Sequence, residues 1–269
     1  MVHMRHPSKI IHIPHSSTLI PGHILGQYVL SDLELEAELI RMTDRYTDEL
    51  FSTNIEDVTH LRFPISRLAV DPERFREDNQ ETMAARGMGA VYMSTVGGSP
   101  LRHPLLPQER ENLLKQYYDP HHEELTRLVS TALEESSQCL IIDAHSFPSH
   151  ALPCDIDQSP KRPDICIGTD DYHTPDELLQ TAKGAFSTSG WTVKVNSPYS
   201  GTIVPMRYYQ SDKRVSSLMV EINRRLYMDE VTGSKLSDFN LFQIKFQECL
   251  HNILAIAKSS PASKITIDP

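Results

Sequence analysis

Short apolar runs alternate along the chain with longer amphipathic ones. Lys9–Ile13, Cys139–Ile142, Ile165–Ile167, Trp191–Val195 and Ser217–Ile222 are too short for typical helices and predict buried strands. Val58–Phe63 predicts a weaker strand, and further extended segments are expected at Arg67–Val70 and Ala90–Met93. Ser31-Asp32-Leu33-Glu34 carries an N-cap residue followed by acidic first-turn residues. The helix it starts is expected to reach about Phe51, with Leu33, Leu35, Leu39, Ile40 and Met42 on its apolar side. The longest helix is predicted from Pro107 to Ser136, kinked or broken at Pro120, which lacks an amide proton. Two more helices are predicted, one opening at Thr174-Pro175-Asp176-Glu177 with Pro175 in first position, the other over about Asp238–Ala257. Glu73–Arg86 is dense in charge and reads as an exposed loop or lid, Pro148–Pro163 is a polar connection, and the tail Ser259–Pro269 is expected to fray. No internal repeat or linker interrupts this alternation, which predicts one α/β domain spanning residues 1–269.

The chain has 269 residues and a net charge of −10, from 26 basic and 36 acidic residues. That balance argues against nonspecific binding of nucleic acid or of an anionic membrane. It also means that an anionic substrate needs a local arginine cluster. No apolar run approaches the ~20 residues of a membrane span, and Met1–Ser8 lacks the apolar core of a signal peptide. The four cysteines form no Cys-x-x-Cys pair, and Cys139 and Cys166 lie inside apolar runs. A reducing, cytoplasmic setting is expected.

Two strands end in the same chemistry. Ile10–Ile13 runs into Pro14-His15-Ser16, and Leu140–Ile142 runs into Asp143-Ala144-His145-Ser146. In an open α/β sheet, ligands bind beyond the carboxyl ends of the strands, so two such histidines can share one crevice. An oxygen ligand and an open position would make that pair a catalytic zinc site. Asp44 and Asp48 are four apart in the expected helix and share its face. Either one of them meets a metal while the other orients a histidine, or both are solvated beside Arg41 and Arg45. Arg67 and Arg74 flank an apolar patch and suit bidentate carboxylate recognition, or pair with Asp71 and Glu73. Glu221 sits inside the apolar run Val220-Glu221-Ile222, where an unpaired carboxylate is costly. A raised pKa there suits a general base acting on water. His12 is assigned no role, and His150, His173 and His251 are expected on the surface.

These residues, taken in order, resemble the N-formylglutamate amidohydrolases, a family similar to the zinc carboxypeptidases and aspartoacylases. The resemblance covers nearly the whole chain. It rests on Pro14-His15-Ser16, Asp44 with Thr47-Asp48, Ser66-Arg67 with Asp71 and Arg74, and Tyr118 and Pro120 before His122. It continues through Asp143-Ala144-His145-Ser146, Pro163–Gly168, Asn196–Gly201, and Glu221 with Arg225 and Tyr227. Ser17 stands where the family usually has glycine, Thr18 where the carboxypeptidases carry the glutamate of His-x-x-Glu, and Tyr46 where family members often have histidine.

The resemblance implies a mixed central sheet flanked by helices, of zinc-carboxypeptidase (phosphorylase/hydrolase-like) architecture, with one zinc per chain. It implies His15 and His145 as ligands, with Asp44 as the third and Asp48 as its alternative. Glu221 takes the place of the general base. His122, next to the expected helix break, either donates to the tetrahedral intermediate or is an ordinary helix-surface histidine. Arg67 and Arg74 are then candidates for the substrate carboxylates. The polar turn carrying Asn196, Tyr199 and Gly201 either wraps the substrate or is a plain loop. The implied reaction is zinc-assisted hydrolysis of an N-acyl amino acid, first of all N-formyl-L-glutamate to formate and glutamate. The alternatives are another N-acyl amino acid deacylase, a carboxypeptidase-like peptidase, or a non-catalytic metal- or ligand-binding protein on the same scaffold.

Overall fold

The computed structural model describes residues 8–256. Six strands, β1 (Lys9–Ile13), β2 (Val58–Arg62), β3 (Cys139–Phe147), β4 (Ile165–Gly168), β5 (Val193–Val195) and β6 (Val215–Asn223), form one sheet in the order β2-β1-β3-β6-β4-β5. β1, β2, β3 and β6 run parallel, while β4 runs antiparallel to β6 and parallel to β5. The sheet is therefore mixed, as the resemblance implies. Seven α-helices accompany it among the described residues: α1 (Gly22–Leu25), α2 (Asp32–Met42), α3 (Thr47–Leu50), α4 (Pro107–Leu113), α5 (Asp119–Ser136), α6 (Asp176–Thr188) and α7 (Phe239–Ala255). None is long and apolar enough to cross a membrane.

β3 lies at the centre, and all nine of its residues are buried. Side chains alternate faces along a strand. Leu140, Ile142 and Ala144 enter a core with Leu218, Val220 and Ile222 of β6 and the buried sides of α6 and α7. Cys139 and Ile141 face the other way, against Leu125, Val129 and Ala132 of α5. Two residues further along that second face come Asp143 and His145. The apolar layer under α5 thus gives way to ionisable groups towards the carboxyl end of the strand.

The predicted cap of α2 is present: Glu34 N donates to Ser31 Oγ at 3.4 Å and Ser31 N to Glu34 Oε2 at 2.8 Å. The helix then ends at Met42, not near Phe51. Thr43 is extended and Tyr46 is left-handed at φ 69°, its hydroxyl donating to Gly233 O at 2.8 Å. Asp44 N donates to His15 O at 2.9 Å, so a tertiary contact takes over where the helical pattern stops. Asp44 and Asp48 consequently do not share a helix face.

The long helix is not broken at Pro120. A π turn, Leu114–Tyr118, joins α4 to α5, and the Asp119 N–H reaches back to Leu114 O. Pro120 falls in the first turn of α5, where its missing amide proton is tolerated. Pro175 is the N-cap of α6 rather than its first residue. Arg67–Val70 is a turn rather than a strand, with Ala69 N and Val70 N both donating to Ser66 O at 2.9 and 3.3 Å. Ala90–Met93 forms only a bridge, Met88 to Tyr92, because Tyr92 is drawn inward to Asp71. Glu73–Arg86 is not wholly exposed: Glu81 and Met83 are buried, and Thr82–Arg86 is a 3-10 helix. The tail predicted to fray, Ser259–Pro269, lies outside the described residues.

Candidate active site

The loop after β1, the turn after α2 and the end of β3 bring His15, Asp44 and His145 together, all buried. His15 Nδ1 is 3.3 Å from His145 Nδ1, and Asp44 Oδ2 lies 3.6 Å and 3.2 Å from the two nitrogens. Around a tetrahedral ion held at about 2.0–2.1 Å, ligand atoms sit about 3.3–3.4 Å apart. The opposite ring nitrogens are occupied. His15 Nε2 is 2.8 Å from Asp71 Oδ1, and His145 Nε2 is 3.1 Å from both Asp143 Oδ1 and Glu73 Oε2. With those Nε2–H groups donating, each Nδ1 would present its lone pair to a metal held between them, whereas without one His145 Nδ1 hydrogen-bonds to Asp44 Oδ2 at 3.2 Å. A divalent metal fits that donor set, and the carboxylates behind the imidazoles are the partners that orient ligand histidines. Burial opposes ionisation of Asp44, but His145, His15 and Arg224 outweigh it and hold the carboxyl well below its ordinary range. Asp48, by contrast, pairs with Arg62 at 2.7 Å.

Asp71 is densely satisfied. Its Oδ1 also accepts from Glu73 N at 2.9 Å, while Oδ2 accepts from Arg67 Nε and Nη2 at 3.1 and 2.7 Å and from Tyr92 OH at 2.6 Å. Burial opposes this charge too, and Arg67 and His15 outweigh it. Behind His145 lies a second group. His12 Nδ1 is 2.9 Å from Asp143 Oδ1 and 3.2 Å from Glu73 Oε1, and His12 Nε2 is 2.8 Å from His121 Nε2. Burial alone would depress His12, yet Asp143 and Glu73 push its pKa up to about 9. Burial drives His121 down to about 2, leaving a neutral acceptor for the His12 proton.

Glu221 stands beside His145 in the parallel register of β3 and β6. Its Oε2 is buried without a hydrogen-bond partner, and burial pushes the carboxyl up to about 8. His122 uses Nε2 on Pro72 O at 2.8 Å and lines a cleft of about 1100 Å³ with Glu73, Arg74, Asp143, Gly201 and Arg207. Arg67 is committed to Asp71. Arg74 is held more loosely, in ion pairs with Asp71 at 3.7 Å and Glu81 at 3.9 Å, and its buried Nε has no hydrogen-bond partner. Asn196 is turned to Thr169, exchanging hydrogen bonds at 2.9 and 2.8 Å. Tyr199 OH accepts from Arg162 Nη1 at 3.1 Å. Gly201 reaches the cleft because Gly168 has no side chain: a Cβ there would meet Gly201 O at 2.2 Å.

The sequence reading assigned no site role to His12, Asp71, Glu73, His121 or Arg224. Arg224 Nη2 donates to Asp44 Oδ1 at 2.8 Å, closing the far side of that carboxylate. A signal existed for His12: β1 is wholly apolar apart from Lys9 and His12, and His12 pairs in register with Asp143. His173, expected on the surface, is buried. It bonds through Nδ1 to Val215 O at 2.8 Å and accepts from Gln210 N at 2.9 Å, which anchors the segment leading into β6.

A sequence model of the N-formylglutamate amidohydrolase family matches residues 8–228. Two curated relatives named N-formylglutamate deformylase, from Pseudomonas putida and Pseudomonas aeruginosa, are 26% and 27% identical over 228 residues, covering 82% of each chain. A crystal structure of N-formylglutamate amidohydrolase from Ralstonia eutropha JMP134 superposes with a TM-score of 0.81 at 23% identity over 95% of both chains. A gene product of Agrobacterium tumefaciens superposes with a TM-score of 0.67 at 17% identity over 92% of both chains.

Proposed function

The chain belongs to the N-formylglutamate amidohydrolase family, and on that footing we propose that it hydrolyses the amide bond of an N-acyl amino acid, with zinc held by His15, Asp44 and His145. The first substrate is N-formyl-L-glutamate, the compound that the names of its relatives specify. The supporting observation is the unpartnered Glu221 Oε2, carried by the strand beside His145, next to three converging ligand atoms.

When bound there, zinc supplies Lewis acidity, polarising the acyl oxygen and acidifying a water. Glu221 takes a proton from the attacking water as its oxygen bonds to the formyl carbon. It passes the proton to the amine nitrogen as the carbon–nitrogen bond breaks, giving formate and glutamate. A carboxyl pushed up to about 8 by burial both accepts and returns a proton near neutral pH. Asp71 holds the His15 ring, and Asp143 with Glu73 holds the His145 ring, so that both Nδ1 atoms face the same point. Arg74, held only by long ion pairs with Asp71 and Glu81 and with its buried Nε unpartnered, receives a substrate carboxylate.

The test is release of formate from N-formyl-L-glutamate by zinc-loaded protein, its loss on chelation and its return with zinc. No release at any zinc loading overturns the proposal.

A further inference from the structure

His12 and His145 share one pair of carboxylates. Asp143 Oδ1 lies 2.9 Å from His12 Nδ1 and 3.1 Å from His145 Nε2. Glu73 spans the same two rings, with Oε1 3.2 Å from His12 Nδ1 and Oε2 3.1 Å from His145 Nε2. The four side chains close a ring, an imidazole at each end and a carboxylate on each side. The fold holds the His12 end firmly. Ile11 and Ile13 are fixed in the core shared with α6 and α7, so His12 between them turns to the α5 face. There it stands directly across from Asp143 in the parallel register of β1 and β3. A slip of one residue would turn it to the other face. Behind the ring, His12 Nε2 is 2.8 Å from His121 Nε2, in the first turn of α5. The Glu73 end is less secured. The hydrogen bond of His12 Nδ1 goes to Asp143, and the buried Glu73 Oε1 has none. The Glu73 side chain is 18% exposed and lines the large cleft, so a route to water is open to it.

We propose that His12 is a positioning residue of the metal site: its Nδ1 holds Asp143 and Glu73 together on His145 Nε2 and so aims His145 Nδ1 at the ion. The inference rests on the reading of His145 as a zinc ligand. Two carboxylates drawn to one N–H repel each other, and the freer of them, Glu73, would turn out into the cleft. A second N–H on the opposite side gives both carboxylates a common partner and keeps them in place. Carboxylates behind a ligand histidine fix its ring and raise its basicity. Here that pair is itself held by a further histidine. The segment 71–73 carries the effect to the other ligand. Asp71 Oδ1 takes His15 Nε2 at 2.8 Å and also accepts from Glu73 N at 2.9 Å, so steadying Glu73 steadies both rings. His12, Glu73 and Asp143 also have the spacing of a metal site of their own. Against that use, a histidine bound to metal through Nδ1 keeps its Nε2–H. That group of His145 lies 3.1 Å from both carboxylates, where a second cation would face its proton.

The experiment measures zinc affinity by chelator competition, and zinc stoichiometry, in wild type, His12→Gln and His12→Asn, with circular dichroism to confirm the fold. Asparagine places an amide nitrogen where Nδ1 stands. Glutamine places it nearer Nε2 and leaves the carboxylates without that donor. His12→Gln lowers zinc affinity about 10- to 100-fold, and His12→Asn recovers a large part of the loss although it fills less space. His12→Met, close to histidine in volume and without a donor, takes the place of His12→Gln if that variant does not fold, with the same loss expected. A loss in His12→Asn as large as in the donorless variant overturns the inference, because a residue that only fills space gains nothing from a donor at Nδ1. A second equivalent of zinc in wild type, absent from the donorless variant, also overturns it and makes the group a metal site. Equal affinity in wild type and a folded donorless variant overturns this inference alone, whereas a wild type that takes up no zinc overturns the amidohydrolase reading and this inference with it.

Discussion

His15 Nδ1 and His145 Nδ1 lie 3.3 Å apart although 130 positions separate them in the chain. Two nitrogen lone pairs at that distance repel unless something positive lies between them. The nearest positive side chain to the group, Arg224, is bonded to the outer oxygen of Asp44 and leaves Oδ2 to the histidines.

Metal content follows directly. Wild-type protein is expected to hold zinc near one equivalent. His15→Ala and His145→Ala each remove a ligand atom and should lose most of it when measured by elemental analysis after dialysis. Unchanged zinc in both variants would place the ion elsewhere.

Asp71 acts on the metal through His15, so Asp71→Asn tests position rather than ligation. Asparagine keeps the shape but loses the charge that holds the His15 Nε2–H and Arg67. Zinc affinity, read by competition with a chromogenic chelator, should fall about 10- to 100-fold while circular dichroism stays native. Native affinity would confine Asp71 to holding Arg67 and Tyr92.

Glu221→Gln preserves the volume and the neighbours on β6 and removes the basic oxygen. The variant should retain zinc and fold and lose about 10²- to 10⁴-fold in kcat. Near-normal turnover by zinc-loaded Glu221→Gln would take the residue out of the chemistry.

Arg74→Ala should reduce kcat/KM on N-formyl-L-glutamate by tens-fold or more, since a charge-assisted pair lost from a desolvated site costs about 2–5 kcal/mol. Arg67→Ala should act differently. It uncouples Asp71 and so lowers zinc affinity as well as activity, a difference that the same chelator competition reveals.

Much of the fold was legible in the chain because strands and caps are local. The apolar runs of β1, β3, β4 and β6 and the Ser31–Glu34 cap announce themselves within a few residues. His15 and His145 were legible for the same reason, each following its own apolar strand. Glu221 was legible as a carboxylate with only apolar neighbours in the chain. What the chain could not show is which side chains meet across the sheet. That depends on strand order and register, which set His12 beside Asp143 and Glu221 beside His145 over long separations. The end of α2 at Met42 was hidden as well, because helical periodicity continued past it while contacts to His15 and Gly233 turned the chain inward. The arginines show the limit most clearly: Arg67, Arg74 and Arg207 are alike in sequence. Only the packing tells them apart: it commits Arg67 to a buried carboxylate by hydrogen bonds, holds Arg74 in longer ion pairs with Asp71 and Glu81, and leaves Arg207 exposed on the cleft wall.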